Sequence, residues 1–200
     1  MGSMTTNRQE QWIALAGVVA ALAPALTGVA GLVVSTGWYL EPPMRTAGAV
    51  VGGIAAVVVA LAARRRHDRA ALGFALSVLC FALTWLPLGA ASFAVGSILS
   101  LASQALVIAF GVMVLRRSTG AARAAGWVIA VAGAVWLVGG LTIWFGTLPG
   151  ASQELLTLLF TFPALGQAVA FLTAALLFVG PLVRPVGAGA RYLWSTAEVR

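Results

Sequence analysis

The stretch AGAVVGGIAAVVVALAARRRHDR, residues 47–69, decides the fold class, because a long apolar run ends there in a cluster of arginines. The run at 47–63 holds no ionisable side chain. A helix of about 20 such residues crosses the hydrocarbon core of a bilayer. Because lysine and arginine collect in cytoplasmic loops, the stretch predicts a membrane-spanning helix that ends on the cytoplasmic side.

The same pattern repeats along the whole chain of 200 residues, which we interpret as a single domain. Apolar segments lie at about 12–36, 47–63, 70–90, 93–115, 124–145 and 155–183. Arginines fall before the first segment, in alternate gaps and after the sixth segment, and only Arg45 departs from this rule. The basic clusters between segments are Arg64, Arg65, Arg66, Arg69, Arg116, Arg117 and Arg123.

This alternation predicts an all-α integral membrane protein, a six-transmembrane-helix bundle built from three helical hairpins. Each hairpin returns to the arginine-rich side, so we expect both termini and a tail at 184–200 to be cytoplasmic. The chain holds no lysine, as is typical of high-GC genomes, and we therefore expect a bacterial plasma (inner) membrane.

The overall composition agrees with a membrane protein. Hydrophobic residues make up 61% of the chain and charged residues 8%, whereas a soluble domain has about 25% charged residues. The net charge of +7 reflects the arginine bias, and no nucleic-acid-binding motif accompanies it. We expect the partner of these arginines to be anionic lipid headgroups at the cytoplasmic face, each arginine being attracted by about 1 kcal/mol, and not nucleic acid.

Small residues recur at spacings of three and four along several segments, which places them on one face of each helix. In lipid, such faces allow close helix packing. The stripes are Ala14, Gly17, Ala21, Pro24, Gly28, Gly31 and Ser35 in the first segment, Gly48 and Gly52 in the second, Gly73, Ser77, Cys80, Thr84 and Pro87 in the third, and Gly126, Ala130, Gly133 and Gly140 in the fifth. The sequence therefore predicts a tightly packed bundle.

Familiar catalytic and metal-binding arrangements are missing from the sequence. The interiors of the predicted spans hold no Asp, Glu, Lys, Arg or His, whereas coupled ion transport usually needs such groups near the midplane. Metal and haem sites need several His, Cys or carboxylate ligands, and His67 and Cys80 are the sole residues of their kinds. We expect no enzymatic activity, no metal and no cofactor.

Neutral polar residues near the centres of the spans are the candidate functional residues. Gln104 and Gln167 lie near the middle of the fourth and sixth segments, and Pro163 interrupts the hydrogen bonding of the sixth. Interrupted helices with midplane polar groups form solute sites in many transporters. The same amides also serve as hydrogen-bonding contacts between helices. The candidates are Ser97, Ser100, Gln104, Trp136, Thr161, Pro163 and Gln167.

Two functions follow from these features. The first is a passive carrier or channel-like protein for a neutral or apolar solute, with a path between the fourth and sixth helices. The alternative is a non-catalytic accessory or scaffold subunit of a larger membrane complex, which packs through its small residues against other membrane proteins. Besides lipid, the expected partners are other membrane subunits or further copies of the chain in a homo-oligomer. In either case the indole N–H of Trp136 needs a partner, which either glutamine can supply.

Overall fold

A computed structural model of the chain describes residues 2–33, 42–85, 92–145 and 153–183. The described residues form six helices and no strand: α1 (Gly2–Val33), α2 (Pro42–Arg65), α3 (Arg69–Leu83), α4 (Ser92–Arg117), α5 (Gly120–Phe145) and α6 (Gln153–Val183). All except α3 are long and apolar enough to cross a membrane, as expected for a multi-pass membrane protein. The predicted tail at 184–200 and the segment ends at 34–36 and 86–90 lie outside the described residues.

Helix α3 is shorter than the apolar segment that contains it. The sequence predicts a span at 70–90, but the helix ends at Leu83 after 15 residues, a length of about 22 Å. Thr84 and Trp85 form a turn in which each N–H donates to a carbonyl three residues earlier, at 3.1 Å. Pro87 also disfavours helical conformation in the residue before it. The prediction of one continuous helix over 70–90 is therefore wrong. An apolar segment shows where side chains are shielded from water, but it does not show where helical hydrogen bonding ends.

The other helices extend beyond the predicted apolar segments. Helix α1 begins at Gly2, ten residues before the predicted start at position 12, because backbone hydrogen bonding continues through its polar leader. Helix α2 begins at Pro42, where a proline is compatible with the first turn. Helix α5 begins at Gly120 with a φ of +60°, a conformation that glycine adopts without steric cost.

The six helices form a closed ring. Each helix packs against its neighbours in sequence, and α6 packs back against α1 in the most extensive interface of the bundle. The interfaces of α2 with α3 and of α4 with α5 are similar in extent to those inside the predicted hairpins. The helices therefore do not form three separate pairs, and the three-hairpin arrangement is not confirmed.

Aromatic rings occupy the centre of the ring, and α3 supplies the rings that link the other helices. Phe74 lies 5.2 Å from Phe110 and 4.9 Å from Phe178, measured between ring centroids. Phe81 lies 6.5 Å from both Trp136 and Phe171. Because α3 contacts α4, α5 and α6 through these side chains, its buried position explains why a helix too short for an independent span is strongly apolar.

The turn between α2 and α3 gathers the basic clusters at one end of the bundle. The Asp68 carboxylate caps α3 by accepting hydrogen bonds from the backbone nitrogens of Ala70 at 2.9 Å and Ala71 at 3.3 Å. The same oxygen accepts from Arg117 at the end of α4, at 3.5 Å. Arg66 forms an ion pair at 3.9 Å with Glu10 of α1. The ends of α2 and α4 and the beginnings of α1 and α3 therefore meet there.

Replacing Asp68 with alanine is expected to lower the free energy of unfolding by about 1 kcal/mol, because two backbone donors of α3 lose their acceptor. The Asp68→Asn variant keeps an acceptor at the cap and is the matched control. Arg117→Gln is expected to change stability by less than about 0.5 kcal/mol, since the Arg117 side chain is half exposed. SDS titration in mixed micelles measures all three, and equal losses for the alanine and asparagine variants would contradict the capping role.

Candidate functional site

Glycines bring the helix backbones into direct contact at three interfaces. A β-carbon at Gly28 of α1 would lie 2.6 Å from the backbone nitrogen of Ala168 in α6. The corresponding distance is 2.6 Å from Gly111 of α4 to the nitrogen of Ala130 in α5. A β-carbon at Gly166 of α6 would lie 2.6 Å from the carbonyl oxygen of Ala132 in α5. These separations leave no space for a side chain.

The predicted small-residue stripes account for many of these contacts but not for every member. Gly17 of α1 packs directly against the ring of Phe178, and a β-carbon at Gly52 of α2 would lie 2.7 Å from the β-carbon of Ala23 in α1. A β-carbon at Gly48 would have nothing within 4 Å. Spacing therefore identifies the packing face of a helix, although not how far along the helix the contact extends.

Gln167 of α6 forms a hydrogen bond across the interface with α1. Its side chain is buried, and its Nε2 donates a hydrogen bond to the backbone carbonyl of Pro24 at 2.8 Å. This contact joins residues that are far apart in sequence and lies beside the close approach at Gly28. Gln167 therefore acts as a hydrogen-bonding contact between the first and last helices.

Gln104 of α4 lies in the interface with α5, and only one of its two amide atoms has a hydrogen-bond partner among the described residues. Its Nε2 donates to the hydroxyl of Ser100, one turn earlier, at 3.4 Å. A β-carbon at Gly140 of α5 would lie 3.1 Å from the same Nε2, so the amide packs on the glycine backbone. Although the residue is only 3% exposed, its Oε1 has no hydrogen-bond partner among the described residues. Buried acceptors are normally satisfied, so this oxygen is a candidate for a ligand or a buried water.

A third buried polar contact joins α3 to α4 and involves a residue that the sequence analysis did not single out. The hydroxyl of Ser77 donates to the backbone carbonyl of Ser103 at 2.8 Å and lies 3.3 Å from its hydroxyl. Both side chains are completely buried. Ser77 belongs to a predicted small-residue stripe. Ser103 follows Ser100 by three residues, and this spacing is the signal that could have identified it.

The remaining candidates pack against other parts of the bundle. Trp136 contacts the rings of Phe81 and Phe171 and does not donate to Gln104, whose Oε1 is unpartnered. The ring of Pro163 packs on α5, where a β-carbon at Gly139 would lie 2.5 Å from its Cγ. Ser97 and Thr161 make contacts of their own within the chain.

The structure does not bring the two glutamines together. Gln104 faces α5 and Gln167 faces α1, and α4 and α6 share no extensive interface. The polar side chains proposed to line one path are therefore divided between separate helix interfaces. Among the described residues, no group of three or more His, Cys, Asp or Glu is placed to hold a metal ion.

An apolar groove runs along the outer surface between α5 and α6. Its volume is about 390 Å³. Its lining consists of Trp127, Val128, Val131, Ala132, Val135, Leu165, Gly166 and Val169. Because every one of these residues is hydrophobic or glycine, the groove presents an apolar surface.

Substituting leucine for the two glutamines is expected to have unequal effects on stability. Gln167→Leu removes the hydrogen bond to Pro24 and is expected to cost about 0.6 kcal/mol, and at most about 2 kcal/mol. Gln104→Leu removes a buried acceptor that has no partner among the described residues, together with a long hydrogen bond of 3.4 Å to Ser100, so it is expected to be close to neutral. SDS unfolding of the two variants in parallel tests this contrast, and a destabilisation by Gln104→Leu as large as that by Gln167→Leu would contradict it.

The described residues thus offer helix contacts, one unpartnered amide oxygen and an apolar groove. Comparison with protein-family models, with curated proteins and with solved structures finds no match to this chain.

Proposed function

We propose that the protein is a non-catalytic accessory or scaffold subunit of a larger assembly in the plasma membrane. The observation that carries this proposal is the use of the midplane polar side chains in helix contacts. Gln167 bonds to Pro24 between α6 and α1, and Ser77 bonds to Ser103 between α3 and α4. A solute path needs polar groups that can exchange partners, whereas these groups already hold helices together.

The close helix contacts support the same proposal. Backbones meet at Gly28, Gly111 and Gly166 without space for a side chain, and aromatic rings fill the centre. Opening a path would require these surfaces to separate, and in lipid their van der Waals contacts are a principal source of stability. A rigid bundle of this kind is suited to positioning partner subunits.

The proposed orientation of the bundle in the membrane follows from the arginines that lie together at one of its ends. Asp68, Arg117, Arg66 and Glu10 meet at one end of the bundle, and this end carries the predicted basic clusters. We place it in the cytoplasm, beside anionic headgroups, together with both termini. The partners are then other membrane subunits or a second copy of the chain.

Thiol accessibility tests the packed interior. In a Cys80→Ala background, a cysteine introduced at the partly buried Ser100 is expected to resist a water-soluble thiol reagent, because a packed scaffold needs no water-filled path to this position. Ala121→Cys at the exposed beginning of α5 is the reactive control, and Leu101→Cys is the control for a surface covered by lipid. Rapid labelling at Ser100 with protection at Leu101 would contradict a packed interior and favour a carrier.

Native mass spectrometry of the protein, released gently from its own membrane, tests the accessory role directly. A stoichiometric complex with different chains, or with a second copy, is the expected result. A monomer that retains a small molecule would overturn the proposal in favour of the carrier.

A passive carrier for a neutral or apolar solute is the second candidate, and the unpartnered Oε1 of Gln104 favours it. A buried acceptor without a donor can receive a hydrogen bond from a neutral solute. If this candidate is correct, flux into liposomes is lost in Gln104→Leu while the variant stays folded. Unchanged flux in a double variant that also carries Gln167→Leu would exclude a path past these residues.

A further inference from the structure

Arg45 and Trp85 meet at the end of the bundle opposite the arginine clusters. Arg45 lies in the first turn of α2, and Trp85 follows the last turn of α3. Since α2 and α3 are adjacent and antiparallel, the guanidinium carbon of Arg45 lies over the indole of Trp85, 5.6 Å from the ring centroid. Arg45 is the arginine that departs from the alternation in the sequence, so topology does not explain its presence.

Both side chains carry a buried donor that has no acceptor. The Nε of Arg45 and the Nε1 of Trp85 are shielded from solvent, and neither has a hydrogen-bond partner among the described residues. Buried donors in native proteins are nearly always satisfied, and an unsatisfied charged donor is especially costly. Two such donors on neighbouring groups indicate one missing acceptor.

The local charge indicates that this acceptor is an anion. The N-terminus of a helix carries a partial positive charge, which favours anions and disfavours cations. Helix α2 has no acidic residue in its first turn, and Arg45 adds a full positive charge there. The arrangement is therefore unfavourable by itself and becomes favourable when a negative group binds beside Arg45.

We infer that Arg45 and Trp85 form a binding site for a phosphate oxyanion, either the headgroup of a phospholipid or free phosphate. The guanidinium carbon of Arg45 and the centroid of the Trp85 ring are 5.6 Å apart, so the two side chains are direct neighbours. A phosphate has several oxygens, each of which accepts a hydrogen bond of about 2.9 Å, so one phosphate can serve two neighbouring donors. Arginine suits phosphate because its planar donors match the oxyanion geometry, and tryptophan is common at the headgroup layer.

Proton–nitrogen NMR of the side-chain N–H groups tests the site in a phosphate-free maltoside detergent. Trp85→Phe assigns the Trp85 indole resonance, which is expected to move downfield and saturate when short-chain phosphatidylglycerol is added. Inorganic phosphate is titrated in parallel. A response to both identifies a general phosphate site, and a response to the lipid alone identifies a headgroup site.

Variants establish which groups bind. Arg45→Gln is expected to weaken phosphate binding about tenfold or more, because it removes a charged donor. Trp85→Phe keeps the ring and removes the N–H, and its weaker binding is followed through the Arg45 Nε–H resonance. Arg64→Gln and Trp127→Phe are the matched controls at other positions, and neither is expected to change the affinity.

Three results would overturn the inference. The first is a Trp85 resonance that responds to neither form of phosphate. The second is an equal affinity in Arg45→Gln and Arg64→Gln. The third is a shift of the Trp85 resonance in Glu41→Gln without any ligand, which would show that the chain supplies its own acceptor.

Discussion

Replacing Gly28 with leucine is expected to destabilise the bundle by about 3 kcal/mol or more, among the largest effects of any single substitution in the chain. A β-carbon at this position would lie 2.6 Å from the nitrogen of Ala168 and 2.9 Å from the carbonyl oxygen of Ala164. These are backbone atoms of α6, so no side-chain rotation relieves the overlap. The two helices must separate, and the most extensive interface of the ring is then lost. SDS unfolding followed by circular dichroism measures the loss.

Gly48→Leu is the matched control for this prediction. Gly48 lies on α2 in a small-residue pattern similar to that of Gly28, but a β-carbon there would have nothing within 4 Å. Leucine also has a higher helix propensity than glycine, so this variant is expected to be neutral or slightly stabilised. Equal losses in the two variants would show that glycine itself, and not the close approach of α1 and α6, controls stability.

Replacing Phe74 with alanine is expected to lower the free energy of unfolding by about 3 kcal/mol. The side chain is completely buried, and its ring contacts those of Phe110 and Phe178. In a bilayer the loss comes from the cavity and the missing van der Waals contacts, because lipid is as apolar as the protein interior. The effect therefore falls at the lower end of the range for buried phenylalanines in soluble proteins.

Leu176→Ala is the matched control for Phe74→Ala. Leu176 of α6 is 69% exposed, so its side chain has few protein contacts to lose. Its replacement is expected to change stability by less than about 0.5 kcal/mol. A Phe74→Ala variant that is no less stable than Leu176→Ala would contradict a central role for the aromatic rings.

The sequence predicts the helices better than it predicts their ends and neighbours. Apolar segments identify all six helices in the described residues, because burial in lipid or protein requires apolar side chains. The same rule overextends α3 past Leu83, where an apolar segment continues but helical hydrogen bonding stops. It also starts α1 too late, because polar residues after Gly2 continue the helix.

For the candidate site, the sequence predicts which polar residues are buried but not which helices they contact. Their positions in the sequence place Gln104 and Gln167 near the centres of their segments, and both side chains are buried in the structure. Spacing does not show which helix each one faces. The partner of Gln167 is the carbonyl of Pro24, 143 residues away, and this contact depends on the closure of the ring by α1 and α6. Spacing likewise does not show that Ser103 pairs with Ser77 on a different helix.

Ring closure by the first and last helices has a consequence for biosynthesis. A ribosome makes α1 before α6, so the glycine face of α1 lacks its partner until α6 has been synthesised. During that interval Gly28 lacks its contact with Ala168, and Phe74 lacks the ring of Phe178. A chain truncated before α6 therefore lacks the contacts that close the ring.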